Sequence, residues 1–389
     1  MRSDQNSIYL DYAAATPLDP RVRLAMEPYW QEDFYNPSSP YMAGRMIRRD
    51  IEASRSRVAH WLGARANEII FTAGATESIN IAIHGVMQQF PHASMVTIAT
   101  EHDAVLQSAA RYRHAFAPVR PSGSVDVDAL EKLLADDVVL VSIAYANNEL
   151  GTIQPLSRIS QAVQKVRRER QSNGNTLPLY IHTDASQAAG FLDLHATRLG
   201  IDLMTLNGAK MYGPKQTGIL YVRAGTLVSS PFTGGGQEGG VRSGTENVVG
   251  IVGFAAALDL AQEDRKEAHP KYQALRDELQ RRIVAELPET VVNGDQKHRL
   301  PSSLHLSWPG VDGERLVMWL DEHGVMAATG SACAANKQTV SHVLVACGMD
   351  DSLMQGSLRL TVGALTTPED VARAAECIIR GVRAQLQLQ

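Results

Sequence analysis

Lys210 follows an apolar run, Ile201–Leu206, and precedes Tyr212-Gly213-Pro214-Lys215. A lysine is usually a solvated surface cation, but one desolvated at such a place has a lowered pKa and can form a Schiff base. Five other residue groups could do chemistry with it. Gly74-Ala75-Thr76 offers backbone N–H groups and a hydroxyl to a phosphate, or is merely a turn with a threonine cap. Asp184-Ala185-Ser186-Gln187 reads equally as a helix-capping box or as a buried carboxylate facing a protonated ring nitrogen. His102 could move protons near neutral pH, although a satisfied polar residue at a strand end is commoner. Asn148, taken alone, is a loop residue. Cys333 lies in Gly330-Ser331-Ala332-Cys333-Ala334-Ala335-Asn336-Lys337, small and polar residues without periodicity, which reads as a mobile loop carrying a thiol.

The elements that must position these groups are short apolar runs separated by helical patterns, the mark of βαβ units around a mostly parallel sheet. The runs are Glu68–Thr72, Met95–Thr100, Val138–Tyr145, Leu179–Thr183, Ile201–Leu206 and Gly218–Val222, with helical patterns at Thr76–Met87, Val127–Leu134 and Ile159–Arg170. Ligands of open parallel sheets sit at the carboxyl ends of the strands. Five successive ends here deliver phosphate donors, an imidazole, an amide, a carboxylate and a lysine. That is the inventory of a pyridoxal-phosphate (PLP) site. Beyond about residue 255 a charged helical stretch interrupted by Pro270 leads into an α+β pattern, with strands near Ser303–Ser307 and Gly356–Val362 and a helix near Gly313–His323.

Composition narrows the alternatives. A chain of 389 residues with 44% hydrophobic and 20% charged residues can bury a large core without disulfides or metal. A net charge of −5 provides no broad basic surface, so nucleic acid is not expected as a direct partner. Three cysteines, Cys333, Cys347 and Cys377, form neither a disulfide framework nor a zinc pattern, and no metal is expected. With no apolar leader or span of membrane length, no membrane association is expected, and the cytoplasm is the expected location. Gly234-Gly235-Gly236 lacks both the P-loop ending and the dinucleotide spacing, so nucleotide binding is not supported.

Taken together, the motifs resemble those of group I cysteine desulfurases, fold-type I PLP enzymes of the class V aminotransferase family. The pieces are Tyr9-Leu10-Asp11-Tyr12-Ala13, Gly74-Ala75-Thr76-Glu77-Ser78, Glu101-His102, Asn147-Asn148-Glu149-Leu150-Gly151, Asp184-Ala185-Ser186-Gln187, Lys210 to Lys215, Arg242-Ser243-Gly244-Thr245, Gly330-Ser331-Ala332-Cys333 and Arg359-Leu360-Thr361-Val362-Gly363. The resemblance implies an α/β fold with a large PLP-binding domain over 13–255 and a small α+β domain from 1–12 and 256–389. It implies that Lys210 carries the cofactor, His102 stacks on its ring, Asp184 meets the pyridine nitrogen and Gln187 the phenolic oxygen. Ala75, Thr76 and Asn207 would hold the phosphate, with Thr245 from the other subunit of a homodimer. Asn148 and Arg359 would bind the carboxylate of an L-cysteine substrate. Cys333 would take the sulfur as a persulfide and pass it to a protein acceptor in iron–sulfur assembly or tRNA thiolation, leaving alanine. Relatives often carry Ser or Thr where this chain has Asn207, and His where it has Ala209. Selenocysteine lyase or transaminase chemistry, and a non-catalytic scaffold, are the rival readings; a transaminase would not need Cys333.

Overall fold

The computed structural model describes residues 7–330 and 340–387. Among them, a seven-stranded sheet has the order β2-β8-β7-β6-β5-β3-β4, with β2 Ile69–Thr72, β3 Ser94–Ile98, β4 Arg113–Ala117, β5 Val138–Ser142, β6 Tyr180–Asp184, β7 Leu203–Asn207 and β8 Gly218–Val222. Strands β4, β3, β5, β6 and β7 run parallel, and β8 is antiparallel to both β7 and β2. Strand β5 is wholly buried and β3 almost so, as strands inside a parallel sheet covered on both faces require. Strand β4 escaped the sequence reading. It is an edge strand, Arg113-His114-Ala115-Phe116-Ala117, largely exposed, so burial imposes little apolar pattern on it.

A second core forms around β10 Ser303–Ser307 and β12 Ser357–Thr361, antiparallel to each other, with β9 Val291–Val292 on the far side of β10. The N-terminal strand β1 Ile8–Tyr9 pairs with β11 Val325–Met326, and Ile8 and Leu10 pack among Leu304, Leu306, Trp308 and Leu358 of this core. The chain passes between the two cores at Asp264, between the helices Val248–Glu263 and Arg265–Glu286. Pro270 does not interrupt the helix: it lies inside the second of these, six residues after the break at Asp264.

At the centre of the large sheet, His182 is fully buried and joins three strands. Its Nδ1 meets Ser142 Oγ at 2.8 Å and its Nε2 meets Thr205 Oγ1 at 3.1 Å. Burial pushes its pKa down to about 3. The unfolded chain therefore takes up a proton below about pH 6.5 that the folded chain refuses, so this stabilisation is complete above that pH and lost as pH falls. Urea denaturation should show stability falling from pH 6.5 toward 4.5, by up to about 1.4 kcal/mol per pH unit from this group. His182→Gln should flatten that slope; an unchanged slope would show that His182 does not control it.

Candidate active site

The C-terminal ends of the large-sheet strands meet the second core at one cavity. Ala75, Thr76, His102, Asn148, Asp184, Gln187, Asn207, Lys210 and Arg359 all line it. Thr245 does not: it lines another cavity of the same chain, beside Phe71, Glu238, Arg242 and Asn247. Cys333 lies outside the described residues.

Each residue arrives by a local device. Gly74 takes φ +134°, a backbone conformation that side chains disfavour, and turns the chain from β2 into the helix Ala75–Gln89. No side chain caps that helix, and its first intrahelical bond runs from Ser78 N–H to Gly74 carbonyl. The earlier N–H groups of Ala75, Thr76 and Glu77 thus remain for an anion, and Thr76 is not the cap that a plain turn would use. His102 caps the helix Asp103–Ala109 by accepting the Ala104 N–H on Nδ1 at 3.0 Å, which assigns the ring proton to Nε2. Asp184 Oδ1 accepts from both Ser186 N–H and Ser186 Oγ, at 2.9 and 2.6 Å. Both readings of that motif hold at once: one oxygen ties the turn, and the carboxylate still faces the cavity.

Lys210 ends a short turn, Gly208–Lys210, after β7. Its Nζ donates to the carbonyls of Ala13 and Ala14 at 2.8 and 2.6 Å, and Gln187 Nε2 also donates to Ala13. Two residues on, Tyr212 adopts φ +60°, a strained conformation for a bulky residue; its N–H is held by Thr16 Oγ1 and its hydroxyl accepts from Ala364 N–H. Arg359 projects from β12, fully buried, with one nitrogen on Asp11 Oδ1 at 2.6 Å and another on the Asn148 carbonyl at 3.1 Å. Its Nε is buried without a partner among the described residues, an unmet donor on a side chain that lines the cavity. The Ala13–Ala14 carbonyls and Asp11 were not assigned roles in the sequence reading. They lie far from Lys210 and Arg359 along the chain, and are brought near by the pairing of β1 with β11, the bridge of Asp11 to Thr361 and the bond of Thr16 N–H to the Ala209 carbonyl.

Residues 8–374 match the aminotransferase class-V family. The chain belongs to that family. It is 39% identical to a cysteine desulfurase IscS of Dictyoglomus turgidum, over 94% of this chain and 92% of that one. It is 40% identical to a cysteine desulfurase of Mus musculus, over 97% of this chain and 81% of the other. A solved NifS-like protein, 32% identical, superposes with a TM-score of 0.89 over 97% of this chain and all of the other.

Class-V aminotransferases use PLP, and the residues of this chain fit it. An uncapped helix start suits the phosphate, a carboxylate suits a pyridinium nitrogen, and Lys210 suits the aldehyde. Asn207 Oδ1 accepts the Ala209 N–H at 3.1 Å, which turns the amide nitrogen into the side chain's donor for an anion. Glu101, quoted above only as part of a motif and given no role there, is fully buried beside His102, with Oε1 accepting Ala144 N–H at 2.8 Å and Oε2 lacking a partner among the described residues. Burial, reinforced by the charge of Asp184, raises its pKa to about 8. The folded protein therefore keeps a proton that the unfolded chain gives up above about pH 4.5, so rising pH from there to about 8 costs stability. Glu101→Gln keeps the acceptor for Ala144 and removes this penalty. It should leave stability nearly unchanged at pH 5 and raise it by roughly 2 kcal/mol or more at pH 8, as read by denaturant unfolding. Equal effects at both pH values would place the carboxyl in its ionised form throughout.

Proposed function

We propose that this protein is a PLP-dependent cysteine desulfurase in which Lys210 holds the cofactor and Cys333 takes the sulfur of L-cysteine. The observation that carries the reading is the convergence of Lys210, Asp184, His102, Asn148 and Arg359 on one cavity beside an uncapped helix start. Balanced, the reaction is cysteine plus the Cys333 thiol giving alanine plus the Cys333 persulfide.

Arg359, through its remaining donor, and Asn148 orient the substrate carboxylate. When bound, PLP supplies an electron sink for the charge that develops at the substrate Cα. The Lys210 amine, once released, removes the Cα proton and is held near it by the Ala13 and Ala14 carbonyls. His102, whose Nδ1 accepts the Ala104 N–H, would stack on the cofactor ring. Asp184 would pair with the pyridine nitrogen, Gln187 with the phenolic oxygen, and Ala75, Thr76 and Asn207 would hold the phosphate. Cys333 thiolate then attacks the substrate sulfur; the carbon–sulfur bond breaks with its electron pair leaving on the carbon fragment, which takes up protons and departs as alanine. The other two cysteines are poor candidates for this step. Cys347 and Cys377 are buried, and burial raises both thiols, Cys347 to about 11 with the Glu149 charge adding to it. Free buried thiols also suit a reducing cytoplasm.

Thr245 extends the reading to a homodimer with shared sites. It stands away from the Lys210 cavity of its own chain, in a separate cavity with Arg242, Glu246 and Asn247, and the chain carries exposed large apolar side chains, among them Trp30, Phe34 and Met42, of the kind a partner surface covers. Mixing Thr245→Val subunits with Lys210→Ala subunits tests it: if Thr245 serves the neighbouring site, each mixed dimer places both lesions in one site and leaves the other intact. Activity should then recover to about half of wild type per mixed dimer. No recovery above the separate variants would exclude sharing. The acceptor is proposed to be a protein that binds near Cys333 and takes the sulfur for iron–sulfur assembly or tRNA thiolation. Alanine and protein-bound sulfur appearing together from cysteine test the overall reaction; pyruvate or amino-group transfer without sulfur on the protein would sink it.

A further inference from the structure

Thr16 grips the turn that carries Lys210 on both sides of the lysine. Its hydroxyl donates to the Ala209 carbonyl at 3.1 Å and accepts the Tyr212 N–H at 2.8 Å. Its own N–H adds a second bond to the Ala209 carbonyl, also at 3.1 Å. Three residues on, the Asp19 N–H holds the Tyr212 carbonyl at 2.9 Å. The turn's internal bonds do not serve these groups, since the Met211 and Gly213 N–H groups both run to the Gly208 carbonyl. Thr16 is buried, and its hydroxyl both donates and accepts.

The same short segment holds the other end of the lysine, because the Ala13 and Ala14 carbonyls accept from its Nζ. A closed ring of contacts results, from Nζ through residues 14 to 16 to the backbone on either side of Lys210. A lysine stem is flexible, so an anchored amine alone leaves the backbone free to shift, and an anchored backbone alone leaves the amine free. The ring fixes both. The segment is itself braced: the Ala13 N–H is held by Thr361 Oγ1 at 3.0 Å, and the Tyr9 hydroxyl lies 2.8 and 2.9 Å from the carbonyls of Asp11 and Ala15. Tyr212 shows what the clip resists. At φ +60° a bulky residue keeps a conformation that persists only where its surroundings over-determine it. Freeing its N–H lets that turn relax, two residues from Lys210.

We propose that Thr16 is a positioning residue for Lys210, its hydroxyl clipping Ala209 to Tyr212 so that the released amine stands where it takes the substrate Cα proton. The inference rests on Lys210 being the cofactor lysine and the base, and is independent of which group accepts the sulfur. Thr16→Val keeps the shape but leaves the Tyr212 N–H without its acceptor, whereas Thr16→Ser keeps the hydroxyl. Misplacement of a reacting atom by about 1 Å can cost on the order of 10²-fold in rate.

The experiment uses the holoenzyme and follows exchange of the Cα hydrogen of L-alanine with D2O by NMR, the reverse of the last proton transfer to the product. Run against alanine concentration, it yields a maximal rate and a half-saturating concentration. Thr16→Val should lower the maximal rate by roughly 10–100-fold. The half-saturating concentration should stay within about twofold, because Arg359 and Asn148 are untouched. Borohydride trapping should still place a pyridoxyl group on Lys210 of the variant. Thr16→Ser should recover to within about threefold of the wild-type rate. A wild-type maximal rate in Thr16→Val would overturn the proposal, as would a loss confined to the half-saturating concentration. Equal losses in Thr16→Val and Thr16→Ser would assign the effect to packing, and loss of the pyridoxyl link would make Thr16 a general support of the cofactor site; either outcome overturns it too. Should Thr16→Val fail to fold, Thr16→Ala, which loses the same hydroxyl without adding bulk, decides by the same split. A wild type with no pyridoxyl on Lys210, or with no Cα exchange, would instead refute the Lys210 assignment, before any variant is considered.

Discussion

Lys210→Ala is expected to abolish desulfuration, with alanine formation falling by at least about 10⁴-fold. The size follows from two jobs lost together. The amine is the only one among the described residues of the cavity, the side chain best suited to link covalently to an aldehyde, and in the proposed reaction it is also the base for the substrate Cα proton. No neighbour can replace it, since His102 has its Nδ1 committed to the Ala104 N–H and Asp184 is tied to Ser186. Borohydride reduction and peptide mass spectrometry should find a pyridoxyl group on Lys210 in the wild type and none in the variant. PLP should still bind the variant without a covalent link, because the helix start at Ala75 and the Asp184 carboxylate are untouched. A variant that kept the covalent link, or turned over cysteine, would remove Lys210 from its assigned role.

Cys333→Ser is expected to separate the steps rather than stop them all. Cofactor binding and Cα proton removal do not use this thiol, so the yellow colour and the spectral response to cysteine should persist. Sulfur transfer needs a nucleophile, and a serine hydroxyl stays protonated at neutral pH. Persulfide should vanish and alanine formation should fall by roughly 10²-fold or more. Cys347→Ser and Cys377→Ser should keep most of the activity, because their thiols are buried and raised, out of nucleophilic range near neutral pH. Wild-type turnover by Cys333→Ser, or sulfur on either buried cysteine, would reassign the acceptor.

How much of this was legible beforehand depends on how far apart the interacting residues lie along the chain. Apolar runs such as Val138–Tyr145 and Ile201–Leu206 announced strands, found at Val138–Ser142 and Leu203–Asn207, because a strand buried on both faces is mostly apolar. Strand β4 was silent because an exposed edge does not. The polar residue following each run was legible for the same local reason: strand, turn and site residue are contiguous, and parallel sheets gather such ends on one side. Lys210, His102, Asp184 and Asn148 could thus be found by position alone.

The sequence by itself determined the residue types, the strands and the order in which they deliver chemistry to one edge of the sheet. The tertiary structure decided which partners those residues meet. Ala13 and Ala14 reach Lys210, and Asp11 reaches Arg359, because the N-terminal segment pairs with β11, bridges to Thr361 of β12 and bonds to the Ala209 carbonyl. It also decided protonation: nothing in the letters Glu101-His102 distinguishes a solvated glutamate from one raised to about 8, because that depends on the water excluded around it. Glu149 shows the same limit. Its contacts with Gly330 and Ser341 span nearly two hundred residues of chain, and a spacing rule cannot express a contact that only packing creates.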